Sequence, residues 1–119
     1  MSKSILALCR QAPYGNALAR EGLEAVLAAA AMDQTPAVLF CGDGVFQLVQ
    51  QSPEGIGEKN LRRNIQALPM FGVETLHICR ASLQQRGIDP VAIELPGAEI
   101  QLVENTTAFI DGFDHVLSF

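Results

Sequence analysis

The sequence predicts a three-layer α/β/α domain built on a mostly parallel sheet of about five strands. Three observations predict it. Short apolar runs such as Ser4–Cys9 and Ala37–Cys41 are continuous rather than alternating, as in strands buried on both faces. Stretches with apolar residues at helical spacing lie between such runs. Pro, Gly, Asp and Asn punctuate the boundaries. Alternation of this kind places helices over both faces of a parallel sheet, with right-handed crossovers.

Each element has its own signal. Ser4–Cys9 is the first strand, and Gln11–Gly15 a loop with Pro13 and Gly15. Asn16 can cap the helix that follows, in which Leu23, Val26, Leu27 and Ala30 form one apolar face. Asp33-Gln34-Thr35-Pro36 breaks that helix, and Ala37–Cys41 is the second strand. Gly42-Asp43-Gly44 turns the chain into a short helical stretch over Val45–Val49. Gln51–Gly57 is a polar loop. Glu58–Leu68 reads as a helix with Leu61, Ile65 and Leu68 on one stripe, ended by Pro69 and Gly72. Glu74–Cys79 is the third strand, Ala81–Arg86 a short helix closed by Gly87, and Ile88–Gly97 an irregular connection. Ile100–Val103 is a weaker fourth strand, Glu104–Phe109 a helix stopped near Gly112, and His115–Phe119 the last strand. The whole, residues 1–119, reads as one domain of Rossmann or flavodoxin-like type.

Composition narrows the function. Hydrophobic residues make up 49% of the 119-residue chain and charged residues 18%, which excludes a disordered polymer. The chain is apolar for a small monomer, so part of its surface is expected to meet another subunit. A net charge of −5 with only eight scattered Lys and Arg argues against gripping nucleic acid by its phosphates. The first apolar run is too short for a secretory signal or a membrane span. Three cysteines without a C-x-x-C pair suggest free thiols in a reducing compartment rather than a disulfide framework.

Function in parallel sheets gathers at the carboxyl ends of the strands, and all three cysteines fall there. Cys9 and Cys41 read as small buried hydrophobes. Cys79 is the candidate for chemistry, because a helix starts directly after it. The positive end of a helix stabilises a thiolate, and Arg80 would add a cation if it pointed inward. The competing reading is that Cys79 too is only packing. His77 shares a strand face with Cys79 but lies two residues away, roughly 6.5 Å, too far for a Cys–His pair. A metal site from His77, Cys79 and His115 has no recognisable ligand spacing. Gly42-Asp43-Gly44 lacks the residues of a phosphate loop and reads as a tight turn with Asp43 as cap. Without such a loop, a nucleotide-binding flavodoxin-like module has little support. Phe46 and the Met70-Phe71 pair are either interface anchors or core.

Five segments carry a family resemblance: Ala12-Pro13-Tyr14-Gly15, Arg20-Glu21-Gly22-Leu23-Glu24-Ala25, Gly42-Asp43-Gly44-Val45-Phe46-Gln47-Leu48, Cys79-Arg80-Ala81-Ser82-Leu83 and Asp114-His115-Val116-Leu117-Ser118-Phe119. In order and spacing they resemble the DsrF-like (TusC-like) branch of the DsrE/DsrF/DsrH family, over essentially the whole chain. The resemblance implies a cytoplasmic subunit of a sulfurtransferase complex, a dimer of heterotrimers with TusB-like and TusD-like relatives. Sulfur would come from a TusA-like donor and leave to a TusE-like acceptor as cysteine persulfide, toward 2-thiolation of the tRNA wobble uridine. It implies no metal or organic cofactor, no direct contact with nucleic acid or membrane, and no independent catalyst. The resemblance implies a mainly complex-forming subunit: the family's principal relay cysteine belongs to the TusD-like subunit, at the strand end to which Cys79 corresponds, so Cys79 is an auxiliary carrier candidate, while Cys9 and Cys41 match no family motif. Two alternatives stand beside this reading: a DsrF-like role in sulfur oxidation, and a purely structural subunit.

Overall fold

The computed structural model describes residues 4–10, 18–32, 35–48, 65–93 and 97–119. Its elements run β1 (Ile5–Cys9), α1 (Leu18–Ala31), β2 (Ala37–Phe40), β3 (Thr75–Cys79), α2 (Arg80–Gln85), β4 (Glu99–Val103), α3 (Thr106–Asp111) and β5 (His115–Ser118). Gly42–Leu48 is a 3-10 stretch between β2 and β3. The expected cap Asn16, the loops Gln11–Gly15 and Gln51–Gly57, and most of the helix expected over Glu58–Leu68 lie outside the described residues. The end of that helix is seen at residues 65–67, which run into a 3-10 turn at Leu68–Phe71. Pro69 suits that turn because it sits near the N-terminus of the turn, where its missing N–H costs nothing.

The five strands form one sheet in the order β4-β3-β2-β1-β5, and every pairing is parallel. The chain therefore walks from β1 outward to β4 and returns across the sheet to place β5 on the other side of β1. The expected strands are all present, with ends shifted by a residue or two. The last helix starts later than Glu104, because the side chain of Asn105 accepts a hydrogen bond from the Ala108 N–H at 3.0 Å and caps it there.

Alternation along the strands sends side chains to two unequal faces. On one, Ala7, Cys9, Val38, Phe40, Leu76 and Ile78 pack with Leu23 and Val26 of α1, Val45 and Leu48, and Leu83 of α2. This is the apolar α1 stripe that the sequence predicts. On the other, Leu6, Leu8, Leu39 and Val103 are covered by Phe109, Ile110 and Phe113. The second layer is thinner, since a six-residue helix provides it.

Two glycines from the recurring segments are explained by contact. A Cβ on Gly44 would lie 2.0 Å from the carbonyl oxygen of Cys9, so only glycine lets the post-β2 turn close onto the end of β1. A Cβ on Gly22 would meet the Phe119 ring at 2.6 Å, which is how the chain's last side chain reaches the core face. At the opposite edge, Ser4 and Asp114 clamp the starts of β1 and β5. The Ser4 N–H donates to Asp114 Oδ2 at 2.8 Å, and the Asp114 N–H donates to Ser4 Oγ at 3.0 Å. These bonds hold the Asp114 carboxyl below the usual carboxylate range.

The glycine contacts predict an order of damage. Gly44→Ala pushes against backbone and should lose at least about 2 kcal/mol. Gly22→Ala pushes against a side chain with some freedom to turn and should lose less, since alanine regains roughly 1 kcal/mol of helix propensity. Urea denaturation midpoints of the two variants test this; equal losses would contradict it.

Candidate functional site

The carboxyl edge of β1, β2 and β3 holds the three cysteines, all free thiols. Their environments differ. Cys9 is 1% exposed in the larger core cluster. Burial, and to a lesser degree charge at Cys41, push its thiol up to about 12. It is a packing residue, as the sequence suggests.

Cys79 ends β3 and serves as the N-cap residue of α2, with extended backbone angles and no connecting loop. It is 8% exposed. The expected strand-to-helix junction is therefore present, and the residue sits at the positive end of the helix. Arg80 does not supply the neighbouring cation. Its guanidinium pairs with Glu104, with Nε 3.3 Å from the carboxylate.

Cys41 follows β2 directly and is partly exposed. Its N–H donates to the Cys9 carbonyl at 3.0 Å, continuing the β1–β2 ladder one residue beyond the strand. Burial raises its thiol pKa first, and charge at Cys79 raises it further, while Arg10 and Arg86 pull the other way. The two arginines are the cations of this edge, and sequence reading missed both. Arg86 also braces the post-β2 turn. Its Nε and Nη2 each lie 3.0 Å from Asp43 Oδ1, and its Nη1 donates to the Ser82 carbonyl at 3.2 Å. Ser82 in turn accepts from the Gly42 N–H through Oγ at 2.9 Å. Asp43, expected as a cap, is thus an anchor for Arg86. The Gly-Asp-Gly turn and the Cys-Arg-Ala-Ser-Leu segment lock together here.

The histidines stay apart from this edge chemistry. His77 packs its ring 4.7 Å from that of Phe109, on the thinner face. Among the described residues its Nδ1 has no hydrogen-bond partner. Burial lowers its pKa, against a smaller opposing effect of Glu99. His115 opens β5 at the amino edge and is exposed. Two strands, β2 and β1, separate it from β3, so the metal triad weighed from the sequence is not assembled. No group of three or more His, Cys, Asp or Glu among the described residues could hold a metal ion.

Met70 and Phe71 are surface residues, 85% and 44% exposed, and Phe46 is half-buried. No helix among the described residues is long and apolar enough to cross a membrane.

Comparison with known proteins gives this parallel five-stranded α/β domain a family. Residues 3–119 match the DsrE/DsrF-like family, and the chain belongs to it. It is 45% identical over 89 residues to the Protein TusC homolog of Pseudomonas aeruginosa, covering 74% of this chain and 75% of that one. It is 39% identical over 89 residues to Protein TusC of Shigella flexneri, with the same coverage. In fold it is similar to the ychN protein of E. coli, with a TM-score of 0.77 over 98% of this chain and 99% of that one at 21% identity. It is also similar in fold to a protein of unknown function from Methanobacterium thermoautotrophicum, with a TM-score of 0.66 over 98% and 97% of the two chains at 15% identity.

Two measurements follow from these environments. In the native protein, iodoacetamide should alkylate Cys41, while Cys9 reacts only after unfolding; peptide mass spectrometry reads this, and native labelling of Cys9 would contradict it. His77 should make the fold acid-sensitive. It stays neutral in the folded chain below its ordinary pKa of 6.5, where the unfolded chain takes up a proton. Stability is therefore full above pH 6.5 and falls as pH drops through that value. His77→Asn should flatten the dependence of the urea midpoint just below pH 6.5.

Proposed function

We propose that this chain is a complex-forming subunit of a cytoplasmic sulfur relay, with Cys79 as a persulfide carrier. The sulfur would move toward 2-thiolation of the tRNA wobble uridine. The whole chain, residues 1–119, acts as one domain, assembled with TusB-like and TusD-like subunits as a dimer of heterotrimers. A TusA-like protein delivers sulfur and a TusE-like protein receives it. The observation that carries the reading is the position of Cys79, capping a helix at the carboxyl edge of the sheet in a chain whose relatives are named TusC.

The chemistry supports it. A persulfide is a sulfur anion at neutral pH, and the positive end of a helix favours that form. Transfer needs one thiolate to attack the outer sulfur of a donor persulfide while the donor thiolate leaves. The surface supports the subunit role: Met70 and Phe71 are exposed, Val91 is 82% exposed, and the edge strand β5 leaves Leu117 51% exposed. A net charge of −5 suits handing sulfur to proteins rather than holding tRNA.

The test is a tag on this chain in its native cells, followed by non-reducing mass spectrometry of the recovered complex. The expected result is related subunits of the same family together with one extra sulfur on the Cys79 peptide. Cys79→Ser should then lower tRNA thiolation with assembly intact. Sulfur found on a partner cysteine instead, with thiolation unchanged in Cys79→Ser, would make this chain a structural subunit. Intact tRNA thiolation but impaired sulfur oxidation in cells lacking the chain would favour the sulfur-oxidation alternative.

A further inference from the structure

The sheet register brings a second thiol beside Cys79. Leu39 pairs with His77 and Phe40 with Ile78. One step further along both chains sets Cys41 next to Cys79. The step is justified because Cys41 still holds the β1 ladder through its bond to the Cys9 carbonyl. Adjacent strands are about 4.8 Å apart, within the roughly 4.4–6.8 Å Cα separation that lets two cysteines join sulfur to sulfur. Alternation puts both on one face: Cys41 packs with the cluster of Leu6, Leu8, Leu39 and Val103, and Cys79 follows His77 by two positions. Cys9, on the other face, is outside the pair. Charge at Cys79 also raises the Cys41 thiol pKa.

They differ in access. Cys79 is 8% exposed, while Cys41 is partly exposed; burial and charge at Cys79 raise its thiol pKa, and Arg10 and Arg86 offset only part of that rise. The brace from Arg86 through Asp43 and Ser82 fixes the turn that carries Cys41 against the first turns of α2.

Resting on the reading of Cys79 as a sulfur carrier, we propose that Cys41 is the entry thiol, which takes sulfur from an incoming persulfide and passes it to Cys79. In the first step the Cys41 thiolate attacks the outer sulfur of a donor persulfide, R–S–SH. The donor S–S bond breaks, R–S⁻ leaves, and Cys41 carries S–SH. In the second step the Cys79 thiolate attacks that outer sulfur. A new S–S bond forms on Cys79, the old one breaks, and the electron pair returns to Cys41 as thiolate. Neither step consumes an oxidant or a reductant.

The experiment uses the full chain, purified with its co-purifying subunits and reduced, then mixed anaerobically with substoichiometric glutathione persulfide. Timed samples are alkylated, and the extra sulfur on each cysteine peptide is counted by mass spectrometry. The expected result is sulfur first on Cys41 and then on Cys79, with a second step whose rate does not change on dilution of the protein. In both Cys41→Ser and Cys41→Ala, loading of Cys79 should slow by about tenfold or more. Loading of Cys79 at the wild-type rate in a folded variant, or sulfur on wild-type Cys79 before Cys41, overturns the entry role and leaves Cys79 as a carrier. Wild-type protein that never accumulates sulfur on Cys79 overturns both readings. The order of labelling in the wild type decides the matter even if both variants fail to fold.

Discussion

The structure turns on one close approach, that of Gly44 to the carbonyl of Cys9. A methyl group at Gly44 would lie at 2.0 Å from that oxygen, well inside any tolerable contact. The same carbonyl accepts the Cys41 N–H, and the Cys41 carbonyl accepts the Gly44 N–H. Together these fix how the chain leaves β2. From there the Gly42 N–H reaches Ser82 and Asp43 reaches Arg86, so the exit of β2 is tied to the helix that Cys79 caps. The carboxyl edge is thus a braced surface in which two strand ends and one helix start share their polar groups. The pair of Arg86 with the 61%-exposed Asp43 depends on solvent-screened charge. The backbone contacts do not, and they make the edge rigid.

That rigidity distributes the chemistry of the three cysteines. They are close in the fold but not equivalent. Cys9 points into the larger core, where burial pushes its thiol up to about 12. Cys79 is nearly buried but sits where a helix begins. Cys41 retains solvent contact and the company of two arginines. One residue of alternation along a strand separates a thiol on the larger core face from one on the opposite face, so register, and not the number of cysteines, sets their environments.

Much of this was legible in the sequence, for identifiable reasons. The continuous apolar runs around Leu6 and Val38 could only be strands buried on two faces, and Leu23, Val26 and Ala30 marked the inner stripe of α1. Cys79 stood out because helical spacing began at its neighbour. What stayed hidden depended on strand order. Nothing in the local pattern says that β5 returns to lie beside β1, or that β2 and β3 are neighbours in the register that pairs Phe40 with Ile78. Arg86 escaped notice because its partners, Asp43 and Ser82, are 43 residues away in one case and across a helical turn in the other. Arg80 was the more conspicuous cation, being next to the cysteine. In a helix that begins at Cys79, however, its neighbour is free to face outward, and Glu104 draws it there.

The recurring segments make a related point about what a family pattern records. Gly22 makes room for Phe119, Gly44 for the Cys9 carbonyl, and Ser82 meets the Gly42 N–H. These residues maintain the shape of the edge and carry no reactive group. Cys79 is the one cysteine of those segments. Cys41 lies just outside them, one residue before the Gly-Asp-Gly turn. Position 41 itself is held through its main chain, by its N–H on the Cys9 carbonyl and its carbonyl on the Gly44 N–H. The side chain at position 41 can therefore change with little cost to the fold, because the bonds that position it involve its main chain and not its thiol.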